Sequence, residues 1–332
     1  MANWDKIFNN LKPFAKASLK NHIDNFCKKI YYYSMELERE VGTKQMVQSF
    51  RQSEGEDICT VILQVKNSNF VNDGYNTKLF GKTMTEWVKN SVFDTQIRYG
   101  ILMPNQDFLQ VAKKMLNPNA KYTLVLFTDA PLIKRKTILQ VINYFKLQDL
   151  SVLKLTRGYM FKTEYLMQVD SLYSPQTQYF DEEDFIVCDT LKQLAMIRDI
   201  LKNRILDYFM KNGVEILDAS STFVDADAQI GSGTVVYPFN QIYGQTIIEP
   251  NCTLFAGNAI DSSIICSGSK VQNSIIKNSF VGKNVNIQNY CVIANNSKIA
   301  DDTCVPDFCK ISSAKIEKDS DIKSFCEYKG EE

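Results

Sequence analysis

Histidine is almost absent from this sequence, since a single residue, His22, occurs in 332. Catalytic triads and metal sites that depend on histidine are therefore close to excluded. The nine cysteines include no Cys-x-x-Cys pair, and the closest spacing, from Cys304 to Cys309, fits no common zinc framework. Free thiols in a reducing compartment fit this pattern best, so a cytoplasmic protein is expected.

A net charge is also lacking, because 38 Lys and Arg balance 38 Asp and Glu. A protein that binds nucleic acid through its overall charge would show a basic excess, so no nucleic-acid partner is expected. No run of about 18 apolar residues occurs, and the first residues lack a basic stretch followed by an apolar one. Membrane insertion and secretion are disfavoured, and the length indicates about two globular domains.

A strict six-residue period runs through the C-terminal third of the chain. Aliphatic residues recur at every sixth position from Val224 to Ile260 and again from Val281 to Ile311. Neither the helical period of about 3.6 nor the strand period of about 2 gives this spacing, whereas hexapeptide repeats do. We predict a left-handed parallel β-helix of about five or six coils over residues 214–324. The break in the period predicts an irregular or looped coil.

Residues 56–166 alternate between strand and helix patterns. The sequence predicts buried strands at 58–65 and 122–128, and helices at 84–93, 107–116 and 132–147. Such alternation is typical of a parallel, doubly wound sheet. Asp129 directly follows the second strand, at the edge where such sheets bind ligands.

A long helix is predicted between these two regions, over residues 189–213. Asp189 or Thr190 is a suitable N-cap, and Gly213 suits the position just after the helix. The predicted domains are an N-terminal helical extension at 1–55, an α/β domain at 56–185, a linker helix at 186–213 and a β-helix at 214–332. The extension is expected to pack on the sheet or to bind a partner.

Over roughly residues 56–325, the order of these elements is similar to that of a known family. A strand ending in Phe127-Thr-Asp129-Ala-Pro, a helix ending in Lys-Asn-Gly213 and a hexapeptide coil follow one another. This order resembles the bifunctional N-acetylglucosamine-1-phosphate uridylyltransferase/glucosamine-1-phosphate acetyltransferase family. The resemblance implies a reduced nucleotidyltransferase-like domain that joins a nucleoside triphosphate to a sugar 1-phosphate with magnesium. It also implies a homotrimer formed through the β-helix.

The resemblance assigns two metal ligands. Asp129 matches the family's aspartate after the central strand, and Asp189 lies where the family has an asparagine before the linker helix. Carboxylate oxygens are suitable magnesium ligands, and the metal would offset the charge that accumulates during nucleotidyl transfer. The alternatives are a turn residue before Pro131 for Asp129 and a simple N-cap for Asp189.

This chain lacks much of the family's nucleotide-binding sequence. The segment 64–69 after the first strand has no glycine and no arginine, so Lys66 and Lys78 are the candidate catalytic cations. Gln96 and Gly100 are candidates for base recognition, and Gly158, in Thr-Arg-Gly158, is a candidate for sugar binding. Lysines of this kind are also common as solvated surface charges.

Three functions stay open at this point. The first is a divergent sugar-1-phosphate nucleotidyltransferase of the UDP-N-acetylglucosamine diphosphorylase type. The second is a non-catalytic relative whose β-helix serves as a trimeric scaffold or regulatory subunit. The third, acyl transfer by the coil, is disfavoured because His22 lies outside the coil and a sugar amine needs a base. The six cysteines of the coil are expected to be small buried hydrophobes.

Overall fold

A computed structural model describes residues 57–70, 73–92, 96–173, 175–318 and 320–330. The predicted helical extension at 1–55 lies outside the described residues. The stretches from Cys59 to Val92 and from Ile97 to Glu332 group into one unit. Within the part of the chain that is described, no helix has both the length and the apolar composition needed to cross a bilayer.

The α/β domain is built on a six-stranded sheet and a small hairpin. Its strands are β1 (Ile58–Val65), β2 (Lys78–Leu79), β3 (Lys82–Thr83), β4 (Gln96–Leu102), β5 (Tyr122–Phe127), β6 (Val152–Leu155), β7 (Gly158–Lys162) and β8 (Gln176–Thr177). The order in the large sheet is β4-β1-β5-β7-β6-β8, and β2 pairs with β3. Every residue of β5 is buried, as expected for a central apolar strand.

The large sheet is mixed, and this differs from the purely parallel sheet that the alternation suggests. β7 runs antiparallel to both β5 and β6. Only Thr156 and Arg157 separate β6 from β7, and a two-residue connection can join only antiparallel neighbours. This tight hairpin brings Arg157 to the sheet edge.

Five helices complete the described part of this region. They are α1 (Met84–Ser91), α2 (Phe108–Met115), α3 (Arg135–Leu147), α4 (Thr163–Gln168) and α5 (Leu191–Lys211), with a 3₁₀ turn at Glu182–Phe185. The linker helix α5 is confirmed with its termini: Thr190 caps it in a reciprocal pair with Gln193, and Gly213 follows it with φ of 83°.

The C-terminal region is a parallel β-helix with three faces. Its strands are β9 (Glu215–Ile216), β10 (Phe223–Val224), β11 (Gln229–Ile230), β12 (Val235–Val236), β13 (Gln241–Tyr243), β14 (Ile247–Ile248), β15 (Thr253–Leu254), β16 (Ala259–Asp261), β17 (Ile264–Ile265), β18 (Lys270–Val271), β19 (Ile275–Lys277), β20 (Phe280–Val281), β21 (Asn286–Ile287), β22 (Val292–Ala294), β23 (Lys298–Ile299), β24 (Cys304–Val305), β25 (Lys310–Ser312), β26 (Lys315–Ile316) and β27 (Glu327–Lys329). They form one seven-stranded and two six-stranded parallel sheets. The predicted fold class is confirmed, since this region matches a left-handed β-helix of about six turns.

The break in the six-residue period is a shortened coil, and the looped alternative is wrong. Val224 pairs with Ile242, eighteen positions later, whereas Ile260 pairs with Ile276, only sixteen later. Ile265 and Val271 fill the core between them, so the apolar axis is continuous. The period breaks because steps of five residues replace steps of six.

Candidate functional site

The carboxyl ends of β1 and β5 lie side by side and form the candidate site. The N–H of Thr128 donates to the Leu63 carbonyl at 3.0 Å, and the N–H of Val65 donates to the Thr128 hydroxyl at 3.0 Å. Asp129 and Lys66 each follow these contacts by one residue. The sheet therefore brings both predicted site residues to the same edge, where ligands of α/β sheets bind.

Asp129 is buried there and held by an arginine. Its side chain is 6% exposed, and both carboxylate oxygens accept hydrogen bonds from Arg157. The Nε–Oδ1 distance is 2.9 Å and the Nη2–Oδ2 distance is 2.5 Å. This two-pronged geometry is the strong form of an arginine–carboxylate pair, because it aligns two charge-assisted hydrogen bonds.

The β6–β7 hairpin fixes the position of Arg157. Its guanidinium also lies over the ring of Phe127, with the central carbon 4.1 Å from the ring centroid. Gly158 has φ of 151°, and a Cβ there would lie 3.1 Å from the Val125 carbonyl oxygen. Gly158 thus allows the hairpin to approach β5 closely, whether or not it also contacts a sugar.

Three effects set the protonation of Asp129. Burial raises the pKa of Asp129 above its ordinary value, and the hydrogen bonds and charge of Arg157 oppose that rise. The carboxylate of Asp189 adds to the rise in the pKa of Asp129. Burial, with the charge of Asp129, also raises the pKa of the Cys188 thiol to about 12.

Backbone contacts tie Asp189 to both strand ends. The N–H of Cys188 donates to the Asp129 carbonyl at 2.8 Å. The side-chain amides of Asn67 and Asn69 donate to the Asp189 carbonyl at 3.3 and 3.2 Å. The loop after β1, where the resemblance predicts a phosphate-binding segment, is therefore fastened across the site by its own asparagines.

The remaining predicted residues are spread over the domain. Lys66 is half-buried and pairs with Asp73 at 3.6 Å. Lys78 lies on the β2–β3 hairpin near Asp225 of the β-helix, where burial raises the pKa of Asp225 and the charge of Lys78 opposes that rise. Gln96 begins β4 and is exposed. Gly100 is buried in β4, where a Cβ would lie 2.7 Å from Val111 of α2. Lys78, Gln96 and Gly100 lie on elements other than β1 and β5, and the roles assigned to these residues and to Lys66 remain predictions.

The donor set around Asp129 does not fit a resident magnesium ion. Both oxygens of Asp129 are engaged by Arg157, whose charge already compensates the carboxylate. Across the described residues, no group of three or more His, Cys, Asp or Glu side chains is arranged to hold a metal. Magnesium usually binds through one or two carboxylates together with waters, so the obstacle here is Arg157, which the ion would have to displace from Asp129.

Arg157 is the site residue that sequence reasoning missed. It stands in the Thr-Arg-Gly158 segment, which the resemblance relates to sugar binding, and is 28 positions from Asp129. The available signal was the two-residue spacing between two apolar segments, which predicts a hairpin. That spacing does not show which neighbouring strand the hairpin faces.

Comparisons with known proteins show what the C-terminal region is similar to. Residues 219–330 match the model of the GMPPB C-terminal domain family. The chain is 37% identical over 124 residues to the bifunctional protein GlmU of Clostridium novyi (strain NT), covering 37% of this chain and 27% of that protein. For GlmU of Clostridium botulinum (strain Langeland), the identity is 34% over 134 residues, covering 40% and 29%.

Solved structures give a weaker likeness. The crystal structure of Rv0371c from Mycobacterium tuberculosis H37Rv has a TM-score of 0.34 and 11% identity, covering 43% of this chain and 98% of that one. The 4-diphosphocytidyl-2C-methyl-D-erythritol synthase of Anaerococcus prevotii has the same TM-score and identity, covering 45% and 100%.

The C-terminal region is thus a divergent relative of the GlmU proteins, and the resemblance that the sequence shows is confirmed there. The chain spans less than a third of the length of these curated relatives.

Proposed function

We propose that this protein is a non-catalytic relative of the sugar-phosphate nucleotidyltransferases that works as a scaffold or regulatory subunit through its β-helix. The observation that carries the proposal is the two-pronged pairing of Arg157 with Asp129. In a nucleotidyltransferase, a carboxylate at this position would hold a divalent cation against the phosphates. Here the carboxylate is neutralised from within the chain.

The cost of opening the pair supports this proposal. Removing Arg157 from Asp129 would leave a buried carboxylate without its counter-charge, which is strongly unfavourable. The asparagines that join the β1 loop to the Asp189 carbonyl would hinder the same opening. Two sets of contacts would therefore oppose the rearrangement that binding of a triphosphate at Asp129 needs.

The role of the β-helix is proposed from the same relationship. Its parallel strands form a rigid prism with a continuous apolar axis, which is suited to hold other chains in fixed positions. A homotrimer is the assembly that the resemblance implies. Acetyl transfer is not part of the proposal, because the one histidine, His22, is not in the coil.

A second candidate is a magnesium-dependent transferase that joins a nucleoside triphosphate to a sugar 1-phosphate. The observation that favours it is the proximity of Asp189, whose charge acts on Asp129. In this alternative, metal and nucleotide displace Arg157, and the guanidinium then binds a phosphate.

Isothermal titration with UTP and magnesium separates the two candidates. The titration compares the wild-type chain with Asp129→Ala and Arg157→Ala, and with Lys162→Ala as a control that removes a half-buried lysine at the far end of β7, where it pairs with Asp149. We expect no metal-dependent binding by the wild-type chain. Saturable wild-type binding that Asp129→Ala weakens, with Lys162→Ala unchanged, would instead establish the second candidate.

A further inference from the structure

The corners of the β-helix form three edges that run along the prism. From Gly233 onward, the described corners contain residues with positive φ, and these residues stack from coil to coil. Two edges carry only small or polar residues: the first consists of Gly233, Asn251, Gly268, Asn284 and Asp302, and the second of Gly244, Ser262, Asn278, Asn296 and Ser313. The third, which we name the aromatic edge, consists of Phe239, Gly257, Asn273, Tyr290, Phe308 and Phe325.

Backbone hydrogen bonds establish that the aromatic edge is continuous. The N–H of Gly257 donates to the Pro238 carbonyl at 3.3 Å, and the N–H of Tyr290 donates to the Asn273 carbonyl at 2.9 Å. A Cβ on Gly257 would lie 2.8 Å from the Asn273 side chain. The six corners therefore lie one above another, separated by the strand spacing of about 4.8 Å.

The fold does not require aromatic residues at this edge. Positive φ favours glycine and asparagine and is unfavourable for bulky side chains. Phe239, Tyr290, Phe308 and Phe325 nevertheless adopt φ between 59° and 62°. The other two edges satisfy the same backbone demand with small and polar residues, so the backbone conformation does not explain the aromatic residues of this edge.

These aromatic side chains are exposed. The exposed fractions are 67% for Phe239, 58% for Tyr290, 46% for Phe308 and 78% for Phe325. Tyr290 and Phe308 stack with centroids 5.0 Å apart, and Phe308 and Phe325 stack at 4.7 Å with 7° between their planes. The result is a rigid apolar ridge over three coils, of the kind that marks an interaction surface.

We propose that the aromatic edge binds the same edge of a second copy of this chain, in antiparallel orientation about a two-fold axis. Along the edge the side chains read large, small, small, large, large, large. When two copies of the edge face each other in opposite directions, Phe308 of one copy lies opposite Gly257 of the other, and Tyr290 lies opposite Asn273. At each end, Phe239 lies opposite Phe325. Large residues meet small ones at the four central corners, and both copies contribute equally, as a two-fold contact requires.

The shared geometry of the two copies supports this register. Because both edges have the same coil spacing, alignment of one pair of corners aligns all six. The contact predicts an even number of chains: a dimer, or a hexamer if the trimer implied by the resemblance also forms. The proposal does not depend on whether the site at Asp129 is catalytic.

Sedimentation velocity of the full chain tests the association. We expect the wild-type chain at micromolar concentration to sediment as an even multiple of the chain mass. Phe308→Asn introduces at this corner the residue type that Asn273 already provides on the same edge, also with positive φ, so folding should be retained. We expect it to raise the dissociation constant at least about tenfold. Asn284→Ser, on a polar edge, is the matched control and should leave the dissociation constant unchanged.

Photo-cross-linking tests the orientation. With benzoylphenylalanine in place of Phe239, the antiparallel register predicts a cross-link to the peptide that contains Phe325 of the second copy. A cross-link between the two positions 239 would refute the register. A wild-type chain that sediments as a monomer or a trimer, or a folded Phe308→Asn variant with unchanged association, would overturn the proposal.

Discussion

Replacing Arg157 with methionine tests how the buried carboxylate is compensated. Methionine keeps most of the side-chain volume but removes the guanidinium that donates to both oxygens of Asp129. Removing one partner of a buried ion pair typically costs about 3–5 kcal/mol. Since 32% of the Arg157 side chain is exposed, solvent reduces the loss, and we expect the free energy of unfolding to fall by about 2–3 kcal/mol near neutral pH.

The pH dependence of this loss has a definite sign. Burial raises the pKa of Asp129 in the folded chain, and without Arg157 that pKa rises further. A carboxyl group with a raised folded pKa costs no stability while it is protonated in both states, and destabilises the fold as pH rises through the folded value. The deficit of Arg157→Met should therefore be small in acid and grow toward neutral pH.

Urea denaturation, followed by the fluorescence of Trp87, provides the assay. The Trp87 indole donates to the Leu79 carbonyl at 2.8 Å, so it reports on the α/β domain, and a Trp4→Phe background removes the second indole. Adding Asp129→Asn to Arg157→Met should recover most of the loss, because no charge is then left buried. Lys162→Met breaks the pair with the exposed Asp149 at the far end of β7 and should change the free energy of unfolding little.

Two outcomes would refute this reasoning. One is an Arg157→Met variant as stable as the wild-type chain near neutral pH. The other is a loss that Asp129→Asn does not recover, since the cost would then come from lost packing of Arg157 on the Phe127 ring.

Three further predictions concern packing, capping and thiol reactivity. Gly100→Ala should lower the free energy of unfolding by about 1–3 kcal/mol in urea denaturation, because its Cβ would collide with Val111; an unchanged value would show that α2 can shift. Thr190→Ala should cost about 1 kcal/mol in the same assay, by removing the cap of α5, and Thr190→Ser should retain the cap. Cys304→Ser should remove one fast-reacting thiol in a thiol-disulfide exchange assay, whereas Cys252→Ser should not, because burial raises the pKa of Cys252 to about 11; equal reaction rates would contradict this assignment.

The β-helix could be predicted from the sequence because its signal is local. The aliphatic residues of the six-residue series, from Val224 to Ile260 and from Val281 to Ile311, all lie in the buried axis, so the period alone gives the inward register of these two stretches. Four of the coil cysteines are buried, as the sequence predicts: Cys252, Cys266, Cys291 and Cys309. The expectation that all six coil cysteines are buried is wrong for Cys304, which is exposed on β24, and for Cys326, which is only half-buried.

The candidate site was predictable only in part. Asp129 follows an apolar strand directly, so its place at the sheet edge could be read from the chain. Its partner Arg157 could not, because their contact depends on which strand the β6–β7 hairpin joins, and β7 lies against β5 in antiparallel register. β4 was missed for a different reason: most of its residues are exposed, so it lacks the apolar pattern that marks a strand.

The stacking of coils also affects how the length of this chain can change in evolution. Each strand of the β-helix bonds to strands 16 to 20 positions away, as in the pairings of Ile260 with Ile276 and Val236 with Ile216. Folding of this region can therefore proceed turn by turn, each step closing only a short loop. A gene duplication or deletion of one whole turn would preserve every remaining pairing. The length of the prism is thus an easily adjustable trait, whereas the α/β domain, whose sheet order departs from chain order, offers no such unit of growth.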